Sequence, residues 1–203
     1  LRQPERLYRI VNAVHQALPP EVPVSAKIRL GYDDAELYLD NALAAAEAGA
    51  NELTVHARTK RDGYHPPAYW HYITRIREAL SIPVIANGEI WNLADFIRCR
   101  EETGCEHFML GRGQLACPDL ARQIRAHCRG EDYQPMSWQQ VCRLLHRHYQ
   151  MSLPNYPLKH SGNRTKQWLM YLQRQYPQAE GFFQTIKRER APERLESAFR
   201  AAA

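Results

Sequence analysis

The sequence predicts an α/β protein: the second half of a TIM-type (β/α)8 barrel followed by a small C-terminal helical bundle. Three observations carry that expectation. Four short apolar runs, Val24–Gly31, Glu52–Thr59, Pro83–Ile90 and His107–Gly113, each end in a polar or glycine cluster, as parallel strands do when their bodies are buried on both faces and their chemistry lies past the carboxyl end. Helical patterns alternate with these runs. From Glu131 onward the strand signals stop and only helical periodicity remains.

A helix near 4–18, with Leu7, Ile10, Val11 and Val14 on one face, stops at Pro19-Pro20. Strand 24–30 leads to an Ala-rich helix near 35–48 that ends at Gly49, and strand 52–57 leads through a loop from Arg58 to Pro67 into a helix near 69–80. Strand 83–87, a helix near 92–102 closed by Gly104, strand 107–110 and a helix near 118–128 closed by Gly130 complete four β/α units. Beyond them, Ser137 caps a helix bearing Val141, Leu144, Leu145 and Tyr149. Asn163 or Thr165 caps one bearing Trp168, Leu169 and Leu172, while Phe182, Phe183 and Ile186 mark a third and Leu195, Ala198 and Phe199 a fourth. Met151–Gly162, with two prolines, is a loop. The domains expected are therefore 1–130, half of a barrel, and 131–203, a helical domain. A flavodoxin-like open sheet is the alternative, disfavoured because the glycine signals fall on the last two units and not after a first strand.

With 44% hydrophobic and 24% charged residues the chain has a globular composition. No apolar run approaches the roughly 20 residues of a membrane span, and Leu1-Arg-Gln-Pro-Glu-Arg lacks a signal-peptide core, so a cytosolic chain is expected. The opening on a helical pattern suggests entry in mid-fold, with an N-terminal part missing. Five cysteines (Cys99, Cys105, Cys117, Cys128, Cys142) contain no CxxC pair, which argues against a disulfide framework and against a metal site. Residues 118–203 carry 14 Lys+Arg against 7 Asp+Glu, whereas 1–117 are close to balance. That excess fits a polyanion-binding face, or scattered arginines on solvated helices.

The strand ends hold the candidate chemistry. Gly111-Arg112-Gly113 and Asn87-Gly88 follow consecutive strands, and glycine loops in those places let backbone N–H groups approach a phosphate, with Arg112 adding charge; a simple turn is the bland reading. Lys27 sits inside an apolar strand and needs an anionic partner, either a ligand or a carboxylate such as Glu89. His56 takes the matching place one strand later. Both suit the pyrimidine edge of a flavin as sources of positive charge.

Together, Ala26-Lys-Ile-Arg-Leu-Gly31, Val55-His-Ala-Arg-Thr59, Val84-Ile-Ala-Asn-Gly-Glu-Ile90 and Leu110-Gly-Arg-Gly113 resemble the second half of a bacterial tRNA-dihydrouridine synthase. Asn163-Arg-Thr-Lys-Gln-Trp-Leu-Met-Tyr171 is similar to the subgroup that acts on uridine 16 of the D-loop. The resemblance implies an FMN enzyme, monomeric at full length, that uses NADPH to reduce a flipped-out uracil in tRNA. It implies flavin-ring contacts from Lys27 and His56, and a ribityl-phosphate site from Asn87, Gly88, Glu89, Gly111 and Arg112. The tRNA-binding positions it implies are Tyr64, Arg164, Lys166, Tyr171 and Lys187; Lys187 stands where the family has Arg, losing the planar fork. The family's cysteine acid would lie in the missing part, and Cys117 reads as packing at a helix start. Two other readings stay open: an FMN barrel enzyme acting on a small molecule, and a non-catalytic tRNA-binding fragment.

Overall fold

The computed structural model describes residues 1–203, the side chain of Lys159 excepted. Helix α1 (Pro4–Ala17), strand β1 (Ser25–Arg29), α2 (Tyr38–Glu47), β2 (Glu52–His56), α3 (Trp70–Ala79), β3 (Val84–Asn87), α4 (Leu93–Thr103) and β4 (His107–Met109) alternate in that order. The strands form one four-stranded sheet in the order β1-β2-β3-β4, and each neighbouring pair is parallel. Each crossover therefore steps to the adjacent strand in the same direction. A doubly wound sheet reverses its strand order at a switch point, and this sheet has no reversal.

Local chemistry sets the element ends. Pro4 opens α1, where its missing N–H costs nothing. Helix α2 begins three residues later than the periodicity predicts, because Asp34 Oδ1 accepts the Glu36 N–H at 3.0 Å and closes a turn ahead of it. Asn92 caps α4 by accepting the Asp95 N–H, and Gly104 ends it in the left-handed conformation at φ 63°.

The chain divides into two compact units, Leu1–Gly111 and Arg112–Ala203. The expected boundary at 130/131 thus shifts, since the last β/α helix groups with the helical region. A short helix not expected from the sequence, α5 (Arg112–Ala116), precedes α6 (Leu120–Arg129), and Pro118 separates them. Hydrogen bonds tie this segment to the helical region. Asp119 accepts the Met136 N–H at 2.9 Å, and Trp168 donates its indole N–H to the Leu115 carbonyl at 2.8 Å.

The second unit continues with α7 (Trp138–Ser152), α8 (Asn163–Leu172), α9 (Gln178–Ile186) and α10 (Pro192–Ala202). Ser137 and Gln140 form a reciprocal capping box at the start of α7. The expected loop 151–162 contains two 3-10 turns, Leu153–Asn155 and Leu158–His160. Asn163 and Thr165 do not cap α8; Gly162 stands at the N-cap position with no side-chain cap bond, and Thr165 is buried. The core joins Val141, Leu145, Tyr149, Leu169, Leu172, Ile186, Leu195 and Phe199, in which Tyr149 donates its hydroxyl to the Pro192 carbonyl at 3.2 Å.

Among the described residues no helix is long and apolar enough to cross a membrane, and no cluster of three metal-ligating side chains occurs. Two substitutions test the bundle by chemical denaturation. Ser137→Ala should cost about 1 kcal/mol through the lost cap. Leu169→Ala, at a fully buried position, should cost about 2–5 kcal/mol through transfer and cavity effects.

Candidate functional site

Strand register decides which side chains meet. Residues paired across parallel strands share a face, and Arg29 pairs with His56, His56 with Asn87, and Asn87 with Met109. The carboxyl ends of all four strands thus form one row on one face. Lys27, two residues before Arg29, lies on the same face and pairs with Thr54. The opposite face is apolar, with Ile28, Leu53, Val55, Val84 and Ala86 buried. Lys27, His107 and Met109 are exposed on the face of the row, so in this chain only the opposite face is uniformly covered.

Behind the row sits an arginine with no solvent exposure. Arg58, just past β2, donates Nε to the Pro67 carbonyl at 3.1 Å and pairs Nη2 with Glu89 Oε1 at 2.7 Å. Its Nη1 lies 3.5 Å from His56 Nε2. Arginine only donates, so a hydrogen bond between them takes Nε2 as its acceptor. The sequence suggests His56 as a source of positive charge, and the structure sets the Arg58 guanidinium beside it. Glu89 takes a second bond, from the Trp91 indole N–H at 3.0 Å, and has a left-handed backbone at φ 54°. Glu89 is thus paired to Arg58 and Trp91, which removes it as the carboxylate partner considered for Lys27. Burial first and Arg29 second push the Lys27 pKa down.

The Asn87-Gly88 turn is anchored on both sides. Asn87 Nδ2 donates to the Met109 carbonyl at 2.7 Å, and the Gly88 carbonyl accepts the Trp70 indole N–H at 2.9 Å. Gly88 has φ 122°, and a Cβ there would stand 3.1 Å from His56 Cδ2, so the turn needs glycine for its conformation and for the space beside the histidine. At Gly111 a Cβ would meet nothing within 4 Å, so that backbone borders open space. Arg112 follows it as the first residue of α5. Tyr64 is 63% exposed, its ring 6.1 Å from that of His56 and 5.4 Å below the Arg29 guanidinium.

The remaining candidates lie in the second unit. Arg164 and Tyr171 line a cavity of about 690 Å³, and the Arg164 guanidinium stands 5.9 Å over the Tyr156 ring. Lys166, one of the tRNA-binding positions that the resemblance implies, donates Nζ to the Glu189 and Lys187 carbonyls, and burial lowers its pKa. Lys187 donates to Gln184 from the carboxyl end of α9. Trp168, expected in the bundle interior, is only partly buried and borders the same cavity as Arg164.

Sequence reasoning missed Arg58 and Arg29 as site residues. Both fall inside the quoted motifs, each two residues from a candidate, and i, i+2 spacing at a strand end is the signal that points to them. Cys117 is buried: its thiol donates to Asp119, accepts from Gln123, and is pushed up to about 12 by burial and the Asp119 charge.

A one-directional parallel α/β sheet with a polar row along its strand ends, followed in the chain by a helical unit, defines the class of α/β protein to which the chain belongs. The chain belongs to the family described as Dihydrouridine synthase (Dus), whose sequence model matches residues 1–203. It is 47% identical over 195 residues to the tRNA-dihydrouridine(16) synthase of Pseudomonas syringae pv. tomato, covering 96% of this chain and 62% of that protein. Against the proteins of the same name from Shewanella oneidensis and Vibrio cholerae it is 49% and 43% identical, covering 92% of this chain in both and 58% and 57% of theirs. The chain thus spans about 60% of the length of these curated relatives.

Removing the buried arginine should be costly, because Glu89 would lose its partner. Arg58→Met is expected to lower stability to urea by about 3–5 kcal/mol, and Arg58→Met/Glu89→Gln to recover part of that loss. Cysteine reactivity gives a second check. Cys99 and Cys117 are pushed up to about 12 and Cys142 to about 11, burial being the first cause in each, while Cys128 is exposed. Raised thiol pKa values keep these groups protonated at pH 8, so iodoacetamide should label Cys128 well before the others, as read by peptide mass spectrometry.

Proposed function

We propose that this chain supplies the second half of the FMN-binding (β/α)8 barrel and the helical tRNA-binding part of a tRNA-dihydrouridine synthase. The whole protein would use NADPH to reduce uridine 16 of the D-loop to 5,6-dihydrouridine. The observation that carries the reading is the row of Arg29, His56, Asn87 and Met109 across four parallel strand ends, with Lys27 on the same face. A polar face and an open glycine turn at the carboxyl end of such strands suit a flavin ring and its phosphate.

Bound there, FMN would supply the hydride that reduces the uracil double bond. Lys27 would place positive charge beside the pyrimidine edge of the ring, and His56, held by Arg58, would contact the same edge in a set orientation. Asn87 and Gly88 would border the ribityl chain, with Glu89 fixing the turn through Arg58 and Trp91. Gly111 and Arg112 would take the phosphate, the first by its accessible backbone and the second by charge. Tyr64, Arg164, Lys166, Tyr171 and Lys187 would face tRNA. For Lys166 that role competes with its bonds to the Glu189 and Lys187 carbonyls, so its share would be smaller than that of Arg164.

A chimaera tests the reading. This chain, exchanged for the matched 187 residues of the Shewanella oneidensis relative, should yield a protein that retains FMN and forms dihydrouridine in tRNA, measured by nucleoside mass spectrometry. In that protein Lys27→Ala should lower the flavin reduction potential, and Arg112→Ala should weaken FMN retention by about 1.5–3 kcal/mol. A chimaera that folds, binds FMN and reduces a small substrate but leaves tRNA unmodified would favour the small-molecule reading.

A further inference from the structure

The cavity of about 690 Å³ in the second unit has an unusual lining for a gap between helices. Its wall carries the rings of His148, Tyr156, Trp168 and Tyr171 with the amides of Asn155 and Gln167, and among its lining residues there is no carboxylate. Arg164 is the cation on this wall; it donates Nη1 to Gln167 Oε1 at 3.4 Å and stands 5.9 Å over the Tyr156 ring. A space of this size holds a small ligand, and an aromatic wall beside one cation suits a flat, uncharged ring attached to an anion.

Two of the rings, Trp168 and His148, are held in place. Trp168 is tethered by its indole N–H to the Leu115 carbonyl at 2.8 Å, and its ring lies 5.2 Å from that of His148 at 71°. His148 shares a hydrogen bond of 2.9 Å with buried Thr165, and its partial burial favours the uncharged imidazole. Asn155 donates to the Met151 carbonyl at 2.9 Å, which orients its amide. Pre-set rings of this kind suit stacking against a planar partner, since little side-chain freedom remains to be lost on binding.

We propose that this cavity receives one unstacked nucleobase of an RNA strand, stacked on Trp168 and Tyr156, with Arg164 contacting the adjoining phosphate. The occupant follows from charge and shape together. Residues 118–203 hold 14 Lys+Arg against 7 Asp+Glu, so the surroundings attract a polyanion, while the wall itself favours a neutral flat ring. The inference rests on the tRNA reading above and adds a base-specific pocket, at His148, Asn155, Tyr156 and Trp168, to a surface otherwise read as phosphate-binding.

The test uses the 203-residue chain and an unmodified tRNA transcript, with affinity measured across a salt series. Trp168→Leu and Tyr156→Leu should each weaken binding about 5- to 150-fold without altering the slope of log affinity against log salt, because stacking releases no counterions. Tyr156 is 40% exposed in a turn, so its variant keeps the test valid if Trp168→Leu disturbs packing. Arg164→Gln should instead flatten the slope by about 0.7–0.9. Wild-type affinity in both ring variants, with Arg164→Gln still flattening the slope, overturns the pocket and leaves the tRNA reading standing. No salt-dependent tRNA binding by the parent chain overturns both. A parent chain that self-associates through this face, shown by dimers that Tyr156→Leu abolishes, also overturns the pocket by assigning it to a second copy.

Discussion

A single buried guanidinium organises the sheet end on which the proposed flavin site depends. Arg58 links three segments: the end of β2 through His56, the loop before α3 through the Pro67 carbonyl, and the turn after β3 through Glu89. Each contact uses a different edge of one rigid, always-charged group, which a lysine could not do. Glu89 offsets the charge and receives the Trp91 indole, so the ion pair is embedded in further hydrogen bonds. The consequence is positional: the histidine, the asparagine-glycine turn and the glutamate are held relative to one another before any ligand arrives.

The helical unit solves a different problem. Its interior is apolar and closed by Tyr149 and Phe199, so the cations are left for its surface. Some of those cations are nonetheless occupied. Lys166 caps the carbonyls at the carboxyl end of α9, where positive charge and donors are both favourable, and it loses reach toward solvent in doing so.

Much of this architecture is legible in the sequence because it is locally encoded. The four strands announce themselves by short apolar runs, and Gly104, Gly130, Asn92 and Ser137 sit where helices start and stop for reasons carried within a few residues. Side-chain partners are less accessible. The Arg58–Glu89 pair joins residues 31 positions apart, and choosing Glu89's partner from Lys27 or Arg58 requires the strand register and the turn geometry at once. The partners of Lys166 are hidden for the same reason, since its acceptors lie more than twenty residues away, at the end of another helix. The compact units divide at Gly111/Arg112, ahead of the 130/131 division read from sequence: α6 has the spacing of a β/α helix, while Asp119 and the Leu115 carbonyl bond to the helical unit.

The uniform stepping of the sheet also bears on how the first unit is made. Each strand pairs with the one just before it in the chain, separated by a single helix, so every pairing closes a loop of about thirty residues or fewer. Contacts of such short range can form as soon as the next segment leaves the ribosome, with no need to wait for a distant partner. The order of the strands in the chain and their order across the sheet coincide, so a lengthened loop in one β/α unit would raise the closure cost of that unit's pairing alone.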